Sequence, residues 1–376
     1  MRMEDISLTQ LQVLESHVLW LALALAIVLG WVVQRTHFCT MGALSDVLLM
    51  RDATRLRQWA LALAVSMLGL AAMSALGWLS AMDSIYAVAR FPWLSFALGG
   101  FLFGIGMVLA SGCPTKNLVR LGGGSLKALV VLLVMGLSAQ ATMRGAPGLL
   151  RVRLMDPVTT GVESGPFVGQ WLSTVAGLGA TEGMLAAALL VALPLLLWVF
   201  RGPGFFQLNN LLAGLGIGVI LLATWWVSGV LGHVPEHPET LEPLFVSTAS
   251  GRMEGLSFTG PVAQWLDAFV YLADGRKRIT FGMALVPGVL IGAALSAWRS
   301  GEFRWEGFTR TSDLARHLIG AVLMGVGGVS AMGCTFGQGL SGLSTLNWGS
   351  LVAVAAIVVG AWLALRVQWW LAERHG

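Results

Sequence analysis

Long apolar stretches, separated by short polar segments, run along the whole chain. A helix needs about 20 mostly apolar residues to cross the hydrocarbon core of a membrane. Stretches close to that length occupy residues 18–34, 59–80, 93–111, 126–143, 183–200, 208–230, 281–299, 316–332 and 349–371. The pattern therefore predicts an all-α integral membrane protein with about nine transmembrane helices, in a single domain over residues 1–376.

Two of the segments between these stretches are long, at residues 144–182 and 231–280. They share a phrase, "GPFVGQWL" in the first and "GPVAQWL" in the second. In the second, apolar residues continue along one helical face and the proline suits a first helical turn. We predict that both phrases form short helices on the outer surface around an entrance. Simple packing of two loops is the alternative.

Composition agrees with a membrane protein that is surrounded by lipid. Hydrophobic residues make up 56% of the chain and charged residues only 11%, whereas an ordinary soluble domain has about 25% charged residues. The net charge of +4 comes from cations that stand singly between apolar stretches. Because they form no basic patch, the sequence argues against nucleic acid as a partner.

The distribution of charge predicts the orientation in the membrane. Nine spans place the two termini on opposite sides. With the N-terminus outside, the inner segments carry fourteen of the 23 cations but only six of the 19 acidic residues. Since inner segments of membrane proteins are enriched in Lys and Arg, we predict an outer N-terminus and an inner C-terminus.

Two glycine-rich motifs form an internal repeat. When Cys113 is aligned with Cys334, the glycines of the first motif match those of the second, the pairs being Gly99 and Gly320, Gly104 and Gly325, Gly106 and Gly327, and Gly112 and Gly333. After a four-residue insertion, "GSLKAL" at 124–129 matches "GSLVAV" at 349–354. The matches predict two repeat halves, 18–143 and 208–371.

The predicted topology makes this repeat an inverted one. The span before Cys113 runs inwards, while the span before Cys334 runs outwards. Inverted repeats commonly place a substrate site near the midplane of the membrane, at broken helices. The stretches "TFGQGLSGLST" and "FCTMGALSDVLLM" are too short or too polar to span, and we expect them to be short re-entrant helices that line a cavity or are buried in protein.

All three cysteines of the chain, Cys39, Cys113 and Cys334, lie at such breaks. Their number is odd and no CxxC pair exists, so neither a disulfide framework nor a zinc knuckle is indicated. A buried cysteine often serves as a small apolar residue, but three of three at segment breaks favour a functional role. A helix N-terminus or nearby cations would polarise such thiols.

Other chemistry is weakly indicated. His37 lies close to Cys39, but no second HxC segment supports a metal site. The carboxylates form no pair within the spans, and "GGGSLK" lacks the spacing of a phosphate-binding loop. We therefore expect no metal and no cofactor. Lys116, Arg120 and Lys127 follow Cys113 on the inner side, where they either draw an anion inwards or only set the topology.

The motifs "QRTHFCTMGALSD", "GGFLFGIGMVLASGCPTKNLVRLGGGSL" and "GAVLMGVGGVSAMGCTFGQGLSG" resemble those of the YeeE/YedE family of bacterial inner-membrane sulphur-transport proteins. The resemblance covers nearly the whole chain except the two outer segments. It implies a multi-pass protein of the bacterial inner membrane, with a periplasmic N-terminus, a cytoplasmic C-terminus and an hourglass-like shape. It also implies uptake of thiosulfate. A small sulphur-carrier protein of the TusA type is the implied cytoplasmic partner.

The resemblance further implies a relay of three thiols, in which the terminal sulphur of thiosulfate accepts weak hydrogen bonds without covalent capture. This chain departs from the family pattern in its long outer segments and in "PTKN" after Cys113. The candidate substrate-binding residues are Cys39, Cys113, Cys334, Gly112, Gly333, Thr115, Thr335, Gln338, Lys116 and Arg120.

Three alternatives remain open at the level of sequence. The first keeps transport but changes the cargo to another small sulphur species or a selenium oxyanion. A second class is a membrane enzyme that uses one cysteine as a nucleophile, for which only Cys39 has a neighbouring histidine as base. A third is a scaffold for sulphur metabolism that transports nothing.

Overall fold

The computed structural model describes residues 8–88, 90–161, 165–238, 241–271 and 278–375. Helices dominate these residues. The helices before residue 180 are α1 (Leu8–Thr36), α2 (Thr40–Ser45), α3 (Thr54–Ala75), α4 (Trp93–Leu109), α5 (Pro114–Gly122), α6 (Leu126–Arg144), α7 (Ala146–Leu154) and α8 (Val168–Ala176). Those that follow are α9 (Ala180–Phe200), α10 (Leu208–Leu211), α11 (Ile217–Trp226), α12 (Thr259–Val270), α13 (Phe281–Ser300), α14 (Thr311–Ser330) and α15 (Trp348–His375).

Wider helical turns and two small hairpins complete the fold. π-helical turns extend or replace α-helix at Asp46–Met50, Leu212–Gly216, Val227–Leu231 and Gly337–Gly342. Strand β1 (Arg90–Phe91) pairs antiparallel with β2 (Thr160–Gly161), and β3 (His233–Val234) pairs antiparallel with β4 (Leu244–Phe245). Each of these strands is very short, so the described chain is all-α in architecture.

Eight helical segments of the described residues are long and apolar enough to cross a membrane. They are Leu8–Met50, Thr54–Ala75, Trp93–Gly122, Leu126–Arg144, Ala180–Phe200, Leu208–Leu231, Phe281–Ser300 and Trp348–Arg374. The prediction of an all-α multi-pass membrane protein is confirmed.

The ninth predicted span, 316–332, differs from the other eight. It forms helix α14, which has 20 residues, but it is not among the segments that are apolar enough to span. The reason lies in its first two turns, where Asp313, Arg316 and His317 stand together and Asp313 contacts both of the other side chains. Helix α14 packs nonetheless against α4 and α6, inside the bundle.

Glycines bring α4 and α14 into backbone contact. A Cβ added at Gly106 would lie 2.6 Å from the carbonyl oxygen of Gly320, and one at Gly320 would lie 2.7 Å from that of Gly106. In the same way, a Cβ at Gly327 would lie 2.5 Å from the oxygen of Gly99. The repeat alignment pairs Gly99 with Gly320 and Gly327 with Gly106, so the Gly99–Gly327 and Gly320–Gly106 contacts are equivalent. The glycines of the two motifs therefore serve the same close packing in both helices.

Glycines also bring α4 and α14 each into close contact with a second helix, at nearly equivalent positions of the repeat. Gly104 of α4 abuts the backbone of Ile357 in α15, and Gly325 of α14 abuts the backbone of Met135 in α6. Met135 and Ile357 are offset by one position from the alignment that pairs the two glycines. The first residues of α6 and α15 show the same offset.

The two Gly-Ser-Leu phrases are therefore not in equivalent places, contrary to the alignment with a four-residue insertion. The first phrase ends at Leu126, the first residue of α6, whereas Gly349 to Leu351 lie inside α15.

Both "GPFVGQWL" and "GPVAQWL" contain short helices, as predicted. The first forms α8, which packs on α9, and the second forms α12, which packs on α6 and α13. In α12 the buried side chains are Thr259, Pro261, Val262, Ala263 and Asp267. Phe269 and Val270 at its end are exposed, which suits a short helix with one face turned away from the protein.

Candidate functional site

The three cysteines occupy the same position in three chain breaks. Cys39 immediately precedes α2, Cys113 immediately precedes α5, and Cys334 precedes the short helical segment that includes Gly337–Gly342. Two positions before each cysteine the backbone is left-handed, with φ of 52° at His37, 56° at Ser111 and 54° at Met332. Non-glycine residues rarely adopt this conformation, and it commonly marks functional strain.

Each thiol also meets the first turn of the helix that follows it. The Cys39 sulphur accepts the N–H of Gly42 at 3.3 Å, and the Cys334 sulphur accepts the N–H of Gly337 at 3.4 Å. The N–H of Lys116 faces the Cys113 thiol from the equivalent position. The Cys39 and Cys334 sulphurs thus each accept one of the N–H groups that lack partners at the start of a helix, whereas Cys113 is the N-cap of α5 without a capping hydrogen bond from its side chain.

The thiols are buried and close to one another. Cys39 is 8% exposed, Cys113 1% and Cys334 0%, and all three are free. Cys113 lies near both Cys39 and Cys334. The structure thus brings together three cysteines that lie far apart in the sequence.

A cavity of about 260 Å³ lies next to the turn that carries Cys334. Its floor contains Met332 and Gly333, which directly precede Cys334, and its polar lining includes Tyr86, Glu254 and Ser257. The Ser257 hydroxyl lies beside Gly337, within 3.0 Å of where a Cβ of that glycine would stand. We call this space the outer cavity, because α12 and other described residues of the 231–280 segment line it, and the charge distribution predicts that this segment lies outside.

A second cavity of about 560 Å³ is lined by His37, Lys116, Arg120, Arg304 and Glu306, among others. We call it the inner cavity, because the charge distribution predicts that the segments around Lys116 and Arg304 lie on the inner side. His37 belongs to the turn before Cys39, and Lys116 belongs to the first helical turn after Cys113. The lining of the inner cavity therefore reaches the breaks that carry Cys39 and Cys113, and that of the outer cavity reaches the break that carries Cys334.

The cations that follow Cys113 have different surroundings. Lys127 pairs with Glu306 and Asp313, both at 3.2 Å, and Arg120 lies 3.6 Å from Glu306. Burial opposes ionisation of Glu306, but the Lys127 hydrogen bond and the Arg120 charge outweigh it and hold the pKa of that carboxyl below its ordinary value. Within the described ranges, no carboxylate lies at ion-pairing distance from Lys116.

Two buried amide side chains hold the turns that carry the cysteines. Asn117 donates to the carbonyl oxygens of Gly112 and Cys113 at 2.9 and 3.2 Å. Gln338, at the position that the repeat alignment pairs with Asn117, donates to those of Ala331 and Met332 at 2.7 and 3.2 Å. Gln338 also accepts the Ser350 hydroxyl at 2.6 Å. Sequence reasoning missed Asn117, although its place opposite Gln338 was a signal.

The remaining candidates lie close to the thiols. The hydroxyls of Thr115 and Thr335 are buried, and neither forms a hydrogen bond of normal geometry with the described protein. Thr335 lies beside the Cys113 thiol. Gly112 has a φ of 156°, and a Cβ there would crowd the Lys116 side chain at 3.1 Å. A Cβ at Gly333 would crowd Gln338 in the same way, also at 3.1 Å.

Aromatic side chains that the sequence analysis did not single out pack beside the breaks that carry Cys39 and Cys334. The ring of Phe336 contacts Phe38 and Phe258 edge-on, with 5.9 Å between ring centroids in each case. Phe38 precedes Cys39, and Phe258 is the residue before α12. Tyr86 donates its hydroxyl proton to the Gly337 carbonyl at 2.5 Å. The chain has only two tyrosines, and this rarity could have marked Tyr86 as a candidate.

The Cys39 motif has no clear copy in the second half of the sequence. In the structure, Phe258, the residue before α12, contacts the Phe336 ring that Phe38 also contacts. Among the described residues, no group of three or more His, Cys, Asp or Glu could hold a metal ion.

Comparison with known proteins agrees with this architecture. A family model described as sulphur transport matches residues 35–363. The thiosulfate transporter TsuA of Escherichia coli (strain K12) is 30% identical over 345 residues, which cover 89% of this chain and 90% of that protein. The thiosulfate transporter TsuA of Spirochaeta thermophila is 30% identical over 349 residues, 92% of this chain and 97% of that protein. The resemblance seen in the cysteine motifs is confirmed, and the chain belongs to the YeeE/YedE family of sulphur-transport proteins.

Proposed function

We propose that this protein takes up thiosulfate across a bacterial inner membrane through a relay of three thiols, Cys334, Cys113 and Cys39. The observation that carries the proposal is the left-handed turn that precedes each of these cysteines, at breaks whose residues line the outer or the inner cavity. The two relatives named as thiosulfate transporters support the choice of cargo.

The chemistry of the cargo fits weak, soft donors. Thiosulfate is a dianion with a polarisable terminal sulphur, and it must leave each binding position as readily as it enters. The lone pairs of the Cys39 and Cys334 sulphurs are engaged by backbone N–H groups. Each thiol proton is then available to the terminal sulphur of the permeant. Passage from thiol to thiol makes and breaks hydrogen bonds only, so the protein acts as a transporter and not as an enzyme.

The polar groups around the thiols complete the path. The unpartnered hydroxyls of Thr115 and Thr335 donate to the oxygens of the anion. Gly112 and Gly333 let the chain turn closely at the two breaks, and Gln338 positions the Cys334 turn without touching the permeant, since both ends of its amide are engaged.

The inner cavity supplies the electrostatic direction. Lys116 lies next to Cys113 without a carboxylate partner among the described residues, and it attracts the anion past the thiols. Arg120 lines the same cavity and is held by Glu306. The excess of cations on the inner segments supports a periplasmic N-terminus and a cytoplasmic C-terminus.

An inverted repeat of halves 18–143 and 208–371 accounts for the matched glycine contacts of α4 and α14, and two separate cavities that reach the cysteine-bearing breaks fit an hourglass shape. Lipid covers the exposed apolar helix faces, such as that of α9 with Leu190, Leu193 and Leu197. A small sulphur-carrier protein of the TusA type would receive the anion at the cytoplasmic mouth.

Growth on a single sulphur source tests the proposal. We expect expression to restore growth on thiosulfate in a host that lacks its own thiosulfate uptake, while growth on cysteine is unchanged. Absence of growth despite confirmed membrane insertion, with and without a co-expressed carrier protein, would contradict thiosulfate as the cargo. Uptake of labelled selenate or sulfite by the same cells would then identify the alternative anion.

A further inference from the structure

The outer cavity contains a carboxylic acid where an anion is expected to enter. Glu254 is half-buried in its lining, beside Tyr86, Ser250 and Ser257. Among the described residues that line this cavity there is no lysine and no arginine. A dianion that enters would therefore meet one acidic group with no cation to offset it, unless that group carries a proton.

Hydrogen bonds hold this side chain mainly by one oxygen. The Glu254 Oε1 accepts the N–H of Ser250 at 2.9 Å and its hydroxyl at 2.7 Å. The backbone oxygen of Glu254 accepts the Ser228 hydroxyl at 2.6 Å, which anchors the residue to the end of α11. The carboxyl therefore keeps capacity on Oε2 for a partner that enters the cavity.

Few charged or titratable groups face Glu254 from the elements around it. Tyr86 faces it from the segment between α3 and α4 and interacts with it and with Cys334. Asp83 is exposed on that segment, and Arg252 directs its guanidinium to the Ala87 carbonyl at 3.1 Å. On α6 and α12, Arg144 and Asp267 pair with each other at 3.4 Å.

These surroundings favour the neutral carboxyl. Burial raises the pKa of Glu254 above its ordinary value, and it outweighs the hydrogen bonds from Ser250 and Ala249, which favour the ionised form. Removal of a carboxyl from water favours its neutral form, and no lysine or arginine among the described lining residues offsets this effect.

We propose that Glu254 is a proton-binding residue of the outer cavity, which admits the anion when its carboxyl is protonated and repels the anion when it is ionised. The protonated carboxyl donates from Oε2 to an oxygen of the dianion, while Oε1 keeps its contacts with Ser250. This inference rests on the proposed function, since it concerns entry of the same anion.

Glu254→Gln tests this role without removing the contacts of Oε1. The amide oxygen can accept from Ser250 and the amide nitrogen can donate to the anion, but the side chain cannot ionise. Uptake of labelled thiosulfate into cells is compared between about pH 5 and pH 8. Glu236→Gln is the control, because Glu236 is an exposed carboxylate of the same segment and both variants experience the same proton gradient.

We expect wild type and Glu236→Gln to lose uptake by up to about tenfold for each pH unit above the Glu254 pKa, in proportion to the protonated fraction. Glu254→Gln should keep the high uptake of low pH throughout. If uptake by Glu254→Gln falls with rising pH as it does in wild type, the proposal is overturned.

Thermal stability supplies a readout that is independent of cargo. A carboxyl whose pKa is raised by folding destabilises the folded state as pH rises from its ordinary value of 4.5 through the raised one. The melting temperature of wild type should therefore fall relative to that of Glu254→Gln over this range. Should thiosulfate not be carried at all, this melting comparison and labelled selenate uptake still decide the role of Glu254. A constant difference in melting temperature across pH contradicts it.

Discussion

The sulphur of Cys334 accepts a hydrogen bond from the backbone N–H of Gly337 at 3.4 Å. The same relationship links Cys39 with Gly42 at 3.3 Å. Because a backbone donor engages the sulphur lone pair, we propose that the thiol acts as a polarised, weak donor rather than as an inert apolar side chain. This local geometry, repeated at breaks far apart in the chain, is the structural basis of the proposed relay.

Lys116 and Lys127 form a matched pair for testing the role of charge. We expect Lys116→Ala to lower the uptake rate by about tenfold or more, because its unpaired charge attracts the anion past Cys113. Lys127→Ala should leave the rate of correctly inserted protein near that of wild type, since its charge is already engaged by Glu306 and Asp313. Initial uptake rates, normalised to membrane abundance, measure this. Equal rates in the two variants would show that Lys116 only sets topology.

The glycine contacts of α4 and α14 predict matched losses of stability. Gly106→Ala and Gly320→Ala should each destabilise the protein by about 1–3 kcal/mol, because a methyl group meets backbone and not a flexible side chain. Gly307→Ala is the control, as nothing lies within 4 Å of a Cβ there. The melting temperature of purified protein in detergent measures the effect. A clear loss at one glycine and none at the other would contradict equivalent packing.

Gln338 should act on the Cys334 turn through its amide. Gln338→Leu leaves the buried carbonyls of Ala331 and Met332 without a donor, at a cost of about 1–3 kcal/mol each. We expect a lower melting temperature and slower uptake together, because the turn that carries Cys334 loosens. Gln207→Leu, at an exposed position, should change neither. A variant at Gln338 that keeps full stability but loses uptake would instead indicate direct contact with the permeant.

The orientation of the chain depends on whether α14 spans the membrane. If it does, nine spans place the C-terminus in the cytoplasm. A fluorescent protein fused after Gly376 should then fluoresce, and alkaline phosphatase fused there should be inactive. Phosphatase inserted within the 231–280 segment should be active, as the control. An active phosphatase after Gly376 would contradict the proposed topology.

The spans were predictable because length and apolarity act locally. Every predicted stretch is largely helical, and α4 begins at Trp93 as expected. The glycine and cysteine pairs of the repeat were also readable, since close backbone approach demands the same small residue in both copies. The contacts of Phe38 and Phe258 with Phe336 were not, because tertiary packing brings these rings together without a shared sequence motif. Glu254 was missed for a similar reason, as only the fold places it in the outer cavity.

Thiosulfate uptake by cysteine variants tests the central claim most directly. Cys39, Cys113 and Cys334 are each changed to Ala and to Ser, with Ser66→Ala as a buried control that bonds only within its own helix. Uptake is normalised to membrane abundance. The relay predicts that all six cysteine variants lose most of their uptake, Ser included, because a hydroxyl is a harder and stronger donor, while Ser66→Ala transports normally. Normal transport by two or more of the six variants would contradict the relay and indicate that the thiols only pack.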